Sequence, residues 1–133
     1  MVVLDASVIL KWLLPEPESA LALHFRDEHL KGREQIIVPA LLHYEVANVL
    51  RHQSALTDRE LTDLFDIIEN LGLTVIHLSF LELEDAMVYA RQKNISVYDA
   101  AYIVLARRMG CGFVTADEKL IRAVGESFVR PLA

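Results

Sequence analysis

The sequence predicts an α/β fold, a three-layer α/β/α sandwich. Two observations carry this: the strand-like segments are continuous apolar runs rather than alternations, and helical patterns separate them along the whole chain. Such strands belong in a parallel sheet covered on both faces. The 133 residues are read as one domain, 1–133, a length sufficient to bury a core.

In order, VVL (2–4) is an apolar run too short for a helix, and a helix from about Ser7 to Leu14 stops at Pro15 and Pro17. A second helix spans roughly Ser19 to Lys31 and ends at Gly32. IIV (36–38) is the next strand, closed by Pro39, and a helix from Ala40 to about Ser54 follows, with Leu41, Leu42, Val46, Val49 and Leu50 at helical spacing. Thr57 with Glu60 is a capping box that opens a helix to Leu71, closed by Gly72. LTVIH (73–77) is the third strand. Ser79 with Glu82 makes a second box and starts a helix through about Lys93, and Ser96 opens an apolar helix to Met109. GFVT (112–115) is the fourth strand, a helix covers about Asp117 to Val124, and SFVR (127–130) is a short last strand.

Composition narrows the class. With 53% hydrophobic and 24% charged residues the chain is ordinary globular protein, and no apolar stretch approaches the eighteen or so residues of a membrane span. MVVLDAS lacks a basic leader, so no signal peptide is expected and the expected location is the cytoplasm. The lone Cys111 fits that expectation and is assigned no role. The net charge of -6 argues against broad, nonspecific duplex binding, but it is unevenly spread. Residues 1–70 hold twelve acids and six bases, whereas 71–133 hold seven of each. One or two bound dications would bring the total to about -4 or -2, so a nucleic-acid substrate is not excluded.

Four acids occupy unusual places. Asp5 ends an apolar strand, Glu45 lies in an apolar helix stripe, Asp99 is the only charge in ISVYDAAYIVLA, and Asp117 follows GFVT. A buried carboxylate costs several kcal/mol unless paired, hydrogen-bonded or bound to a metal. None of the four has an obvious local Lys or Arg partner. Helix capping accounts for three of them: Asp5 as a cap, Asp99 through the Ser96–Asp99 arrangement, and Asp117 at a cap position, with Thr115 and Glu118 able to form a further box. Glu45 resists that explanation, because Leu41, Glu45 and Val49 lie on one helix line. In open parallel sheets ligands bind beyond the strand carboxyl ends, where the strand order reverses, and Asp5 and Asp117 fall at such ends. Hard oxygen donors of this kind suit Mg²⁺ or Mn²⁺.

Other motifs are missing. The five histidines show no HExxH or paired spacing, and no GxGxxG, GxxxxGK[ST] or GxSxG occurs. Trp12 and the tyrosines 44, 89, 98 and 102 are assigned to core or interface rather than to base-stacking platforms, although Tyr98, beside Asp99, could be near the cleft.

With these residues placed, the chain resembles the PIN-domain family, specifically the VapC-type toxin ribonucleases of toxin–antitoxin pairs. The likeness rests on VVLDASV, YEVANVL, VYDAAYIVLA and VTADEKL, in that order over the whole length. It implies a five-stranded parallel sheet of order 3-2-1-4-5, with the first and fourth strands together at the reversal. By position Asp5, Glu45, Asp99 and Asp117 match the acidic metal-site residues, Ser7 and Thr115 the supporting hydroxyls, and Asn48 the asparagine of E-x-x-N. It further implies a Mg²⁺- or Mn²⁺-dependent endoribonuclease with an RNA substrate, a VapB-type antitoxin that inserts an Arg into the cleft, and a homodimer. Asp5 and Asp99 are the expected direct ligands, with Glu45 and Asp117 serving a second ion or the waters of the first. The helices around Leu41–Leu50 and Leu61–Leu71 are candidates for the dimer contact, which the sequence alone does not decide.

Two rival readings remain. The acidic pocket could belong to a non-catalytic module that grips a basic partner tail, which EDTA-sensitive nuclease activity would distinguish. A phosphoryl-accepting receiver domain shares the sheet class, but LTVIHLS ends without the aspartate that reaction needs.

Overall fold

Five short parallel strands make the middle layer of the molecule. In the computed structural model, which describes residues 1–133, these are β1 (Val2–Leu4), β2 (Ile36–Pro39), β3 (Thr74–Ile76), β4 (Gly112–Thr115) and β5 (Val129–Pro131). Their order is β3-β2-β1-β4-β5 and every pairing is parallel, as the resemblance implied. β1 pairs with β4 in the register Leu4↔Val114, so the residues just beyond both strands emerge side by side.

Seven helices cover the sheet: α1 (Ala6–Leu13), α2 (Ser19–Leu30), α3 (Leu41–Leu50), α4 (Asp58–Asn70), α5 (Phe80–Lys93), α6 (Val97–Met109) and α7 (Glu118–Val124). Because side chains alternate along a strand, each strand feeds both layers. Val2, Leu4, Ile36, Val38 and Val114 pack with residues of α1 to α4 in one core. Val3, Ile37, Phe113 and Val129 pack with residues of α5, α6 and α7 in the other. This double burial is why the strands read as unbroken apolar runs. No helix is long and apolar enough to cross a membrane.

Local signals act where the sequence puts them. Both capping boxes form, Thr57 with Glu60 and Ser79 with Glu82. Gly110 ends α6 with φ of 63°, a conformation that costs glycine little. Several boundaries differ from expectation. α3 stops at Leu50 rather than near Ser54, because the chain tightens into turns such as His52 N–H to Val49 O. β3 is confined to 74–76, the residues that pair with β2, and β5 starts at Val129 after a turn in which its N–H bonds Glu126 O. The further box between Thr115 and Glu118 does not form; Asp117 itself caps α7, and the Thr115 hydroxyl is engaged elsewhere.

The helices named as candidates for a dimer contact, α3 and α4, bury much of their apolar content within the chain. Leu42, Val46 and Leu50 of α3 and Ile68 of α4 are buried in their own core, so these stripes are already covered. The uncovered apolar face belongs to α5, where Phe80, Leu81, Met87 and Val88 are exposed at helical spacing.

Candidate metal centre

Asp5 is the first residue beyond β1 and the N-cap of α1, with its carboxylate accepting from Val8 N–H. The position that makes it a cap also holds it at the carboxyl end of the central strand. Asp117 is the second residue beyond β4 and likewise an N-cap, accepting from Leu120 N–H at 3.1 Å at the start of α7. Asp99 is in the first turn of α6, and its N–H is capped by Ser96 Oγ at 3.0 Å. Capping and site placement are therefore one arrangement.

Asp5 is only 7% exposed, yet both of its oxygens are satisfied. Ser7 Oγ donates to Oδ1, and Thr115 Oγ1 donates to Oδ2 at 2.6 Å. The two hydroxyls are fixed in turn, since Ala116 N–H donates to Ser7 Oγ at 3.0 Å and Asp117 N–H to Thr115 Oγ1 at 3.1 Å. This network stitches the start of α1 to the chain between β4 and α7. Ser7 and Thr115 thus both hydrogen-bond the strand-end acid.

Glu45 sits at the flank of the apolar stripe of α3, half-buried, while Leu42 and Val46 face the core. Its Oε1 accepts from the Tyr102 hydroxyl at 2.7 Å. Tyr102 is fully buried and stacks on Phe113 of β4, with ring centroids 5.6 Å apart and planes at 9°. Sequence reasoning assigned Tyr102 to the core and missed this bond. The available signal was its spacing of three residues from Asp99, which puts both on one face of α6. Asn48 is brought near Glu45 on one concavity, but its Oδ1 is occupied by Arg51 Nε at 3.1 Å and it bonds none of the acids.

The electrostatics follow from burial and mutual repulsion. Burial pushes the Asp5 carboxyl up to about 6, against the pull of Ser7, Thr115 and Val8, and the Asp99 charge adds to the rise. Burial also raises Glu45, opposed by Tyr102 and reinforced by Asp5 and Asp99. Asp99 is raised by burial and then by Asp117. These mutual effects tie all four acids into one field. None of them enters an ion pair anywhere in the molecule.

The donor set is all oxygen, with no His or Cys, which favours Mg²⁺ or Mn²⁺ over Zn²⁺. No three acidic, His or Cys side chains close into a ready-made cage. An ion held here would therefore take few protein ligands and keep several waters, as Mg²⁺ commonly does. A concavity of about 600 Å³ lies between α5 and α6, where both arginines are paired, Arg108 with Glu82 at 3.1 Å and Arg107 with Glu126 at 3.5 Å.

Sheet order and acid placement together define an α/β/α protein with a group of acids gathered at the carboxyl ends of β1 and β4. The chain belongs to the PIN domain family, whose model matches residues 2–126. It is 30% identical over 122 residues to Ribonuclease VapC3 of Pyrobaculum aerophilum, covering 89% of this chain and 90% of that protein. It is 31% identical over 124 residues to Ribonuclease VapC9 of Mycobacterium tuberculosis, covering 90% and 88%. Among solved structures, a toxin–antitoxin complex from Klebsiella pneumoniae superposes with a TM-score of 0.72 at 13% identity, over 97% of this chain and 95% of that one, which shows the shared fold.

Proposed function

We propose that this chain is a single-domain, Mg²⁺- or Mn²⁺-dependent endoribonuclease acting in the cytoplasm as the toxin of a VapBC-type pair. The observation that carries the reading is a set of four mutually repelling carboxylates with no cationic partner, at the ligand-binding end of a PIN fold. The names of its relatives, both ribonucleases, supply the substrate class.

Asp5 and Asp99 would be the direct metal ligands, and Glu45 and Asp117 would accept from the waters of that ion or hold a second one. Bound there, the ion supplies a Lewis acid for a nonbridging phosphate oxygen and a water of lowered pKa. Ser7 and Thr115 orient the Asp5 carboxylate, and Tyr102 orients Glu45. A carboxylate takes the proton from the attacking water, since no histidine is among these residues. Water attack leaves a 5′ phosphate and a 3′ hydroxyl.

Two partners follow in the same reading. A VapB-type antitoxin would silence the site with a basic tail, for which the uncompensated acids are the complement. A second copy would cover the α5 face of Phe80, Leu81, Met87 and Val88.

The test is RNA cleavage by the purified chain with Mg²⁺ or Mn²⁺ and with EDTA, followed by end mapping. Metal-dependent cuts bearing 5′ phosphates support the proposal. Tight binding of a basic peptide without any cleavage would instead favour the non-catalytic module.

A further inference from the structure

Two tyrosines flank the acidic pocket without taking part in it. Tyr44 immediately precedes Glu45 on α3, and Tyr98 immediately precedes Asp99 on α6. Successive helical residues point about 100° apart, so each acid turned toward the pocket leaves its tyrosine on the rim. The side chains are 79% and 66% exposed, and neither hydroxyl makes a hydrogen bond within the chain that would explain its position. Both line one concavity of about 510 Å³, together with Leu41, Asn48 and Glu45. Glu45 therefore belongs to the metal centre and to the groove beside it.

We infer that this groove is a base-binding subsite, in which an unpaired RNA nucleobase next to the scissile phosphate stacks on Tyr44 or Tyr98. The inference deepens the hydrolase reading above and rests on it for the substrate class. Charge favours this occupant. With a net charge of -6 the chain lacks the broad basic surface that holds a duplex through its phosphates. Stacking on exposed aromatic rings grips a strand without a basic surface, and it needs bases that are splayed out rather than paired. The polar group in the groove has the matching chemistry. Asn48 Oδ1 is engaged by Arg51, which leaves its NH₂ free to donate to an acceptor on a base edge. Continuity with the acid site through Glu45 places such a base one nucleotide or so from the reacting phosphate.

The probe is a set of short unstructured oligoribonucleotides carrying 2-aminopurine at successive positions, whose fluorescence is quenched on stacking. Binding is measured in Ca²⁺, and cleavage separately in Mg²⁺ or Mn²⁺. Wild-type chain is expected to quench the unpaired strand but not the same sequence in a duplex. Tyr44→Phe and Tyr98→Phe keep the ring and should keep the quenching. Of Tyr44→Ala and Tyr98→Ala, the variant that removes the stacking ring should lose it, weaken binding roughly 10-fold and raise KM similarly, with a smaller change in kcat. Absence of quenching by wild type, or equal quenching by the alanine variants, overturns the inference. So does normal RNA binding by alanine variants whose oligomeric mass or antitoxin binding changes, which would assign the tyrosines to a protein contact. A chain that cuts RNA without quenching sinks the subsite and spares the hydrolase. One that quenches, with loss in the alanine variants, but never cuts does the reverse.

Discussion

Tyr102 reaches from the core to the proposed metal ligand Glu45: its ring lies on Phe113, and its hydroxyl donates to Glu45 Oε1 at 2.7 Å, linking α6 to α3 across 57 residues of sequence. Tyr102→Phe keeps the ring in place and removes only the donor. The expected result is a drop of about 10-fold or more in Mn²⁺ affinity by calorimetric titration, with a parallel loss of RNA cleavage. Global stability should change by about 1 kcal/mol or less in urea. Unchanged metal affinity would show that Glu45 needs no orienting partner.

Thr115 has two duties, donating to Asp5 Oδ2 and accepting from Asp117 N–H. Thr115→Val preserves shape but leaves both partners unsatisfied, at a cost of about 2 kcal/mol in urea unfolding. Thr115→Ser retains the hydroxyl and should recover most of that loss. Equal stability of the two variants would remove the network from the account.

Asp5 gives the chain a pH dependence opposite to that of a salt-bridged acid. Burial raises its carboxyl from 3.8 to about 6, so between those values the native state holds a proton that the unfolded chain has released. Its contribution to stability is full below about pH 4 and falls as pH climbs through about 6, by about 3 kcal/mol in all. In EDTA, the stability of wild type relative to Asp5→Asn should therefore decline from about pH 4 to pH 7. Mn²⁺ should restore wild type at the upper end, because binding to the ionised site stabilises the native state. A difference that stays flat with pH would contradict the burial argument.

The exposed face of α5 makes a separate prediction. If a second copy covers Leu81 and Met87, the double variant Leu81→Glu with Met87→Glu sediments as a monomer with unchanged helicity. Dimeric mass in that variant would place the contact elsewhere.

What the sequence could and could not convey follows from where the determinants lie. The parallel sheet was legible because residues such as Val3 and Leu4 are buried on opposite faces, leaving no polar alternation. The strand order came from the resemblance, since periodicity carries no information on which strands are neighbours. Asp5 and Asp117 were legible because a cap following an apolar strand is also the rim of the sheet. Tyr102 was not, because in a run as apolar as AAYIVLA a tyrosine reads as core, and only the fold of α3 over α6 gives its hydroxyl a partner. Burial bears on the candidate dimer helices too: the stripes of α3 and α4 are strong, and Leu42, Val46, Leu50 and Ile68 pack into their own core. The α5 residues look weaker in sequence, interrupted by Glu82, Glu84 and Asp85, and yet remain uncovered.

The central claim is that acids distant in sequence form one divalent-metal centre, and anomalous diffraction from crystals grown in Mn²⁺ tests it most directly. The account predicts a manganese peak bound by oxygens of Asp5 and Asp99, absent in Asp99→Asn. A pocket without a peak at saturating Mn²⁺, or a peak held by other residues, would contradict it.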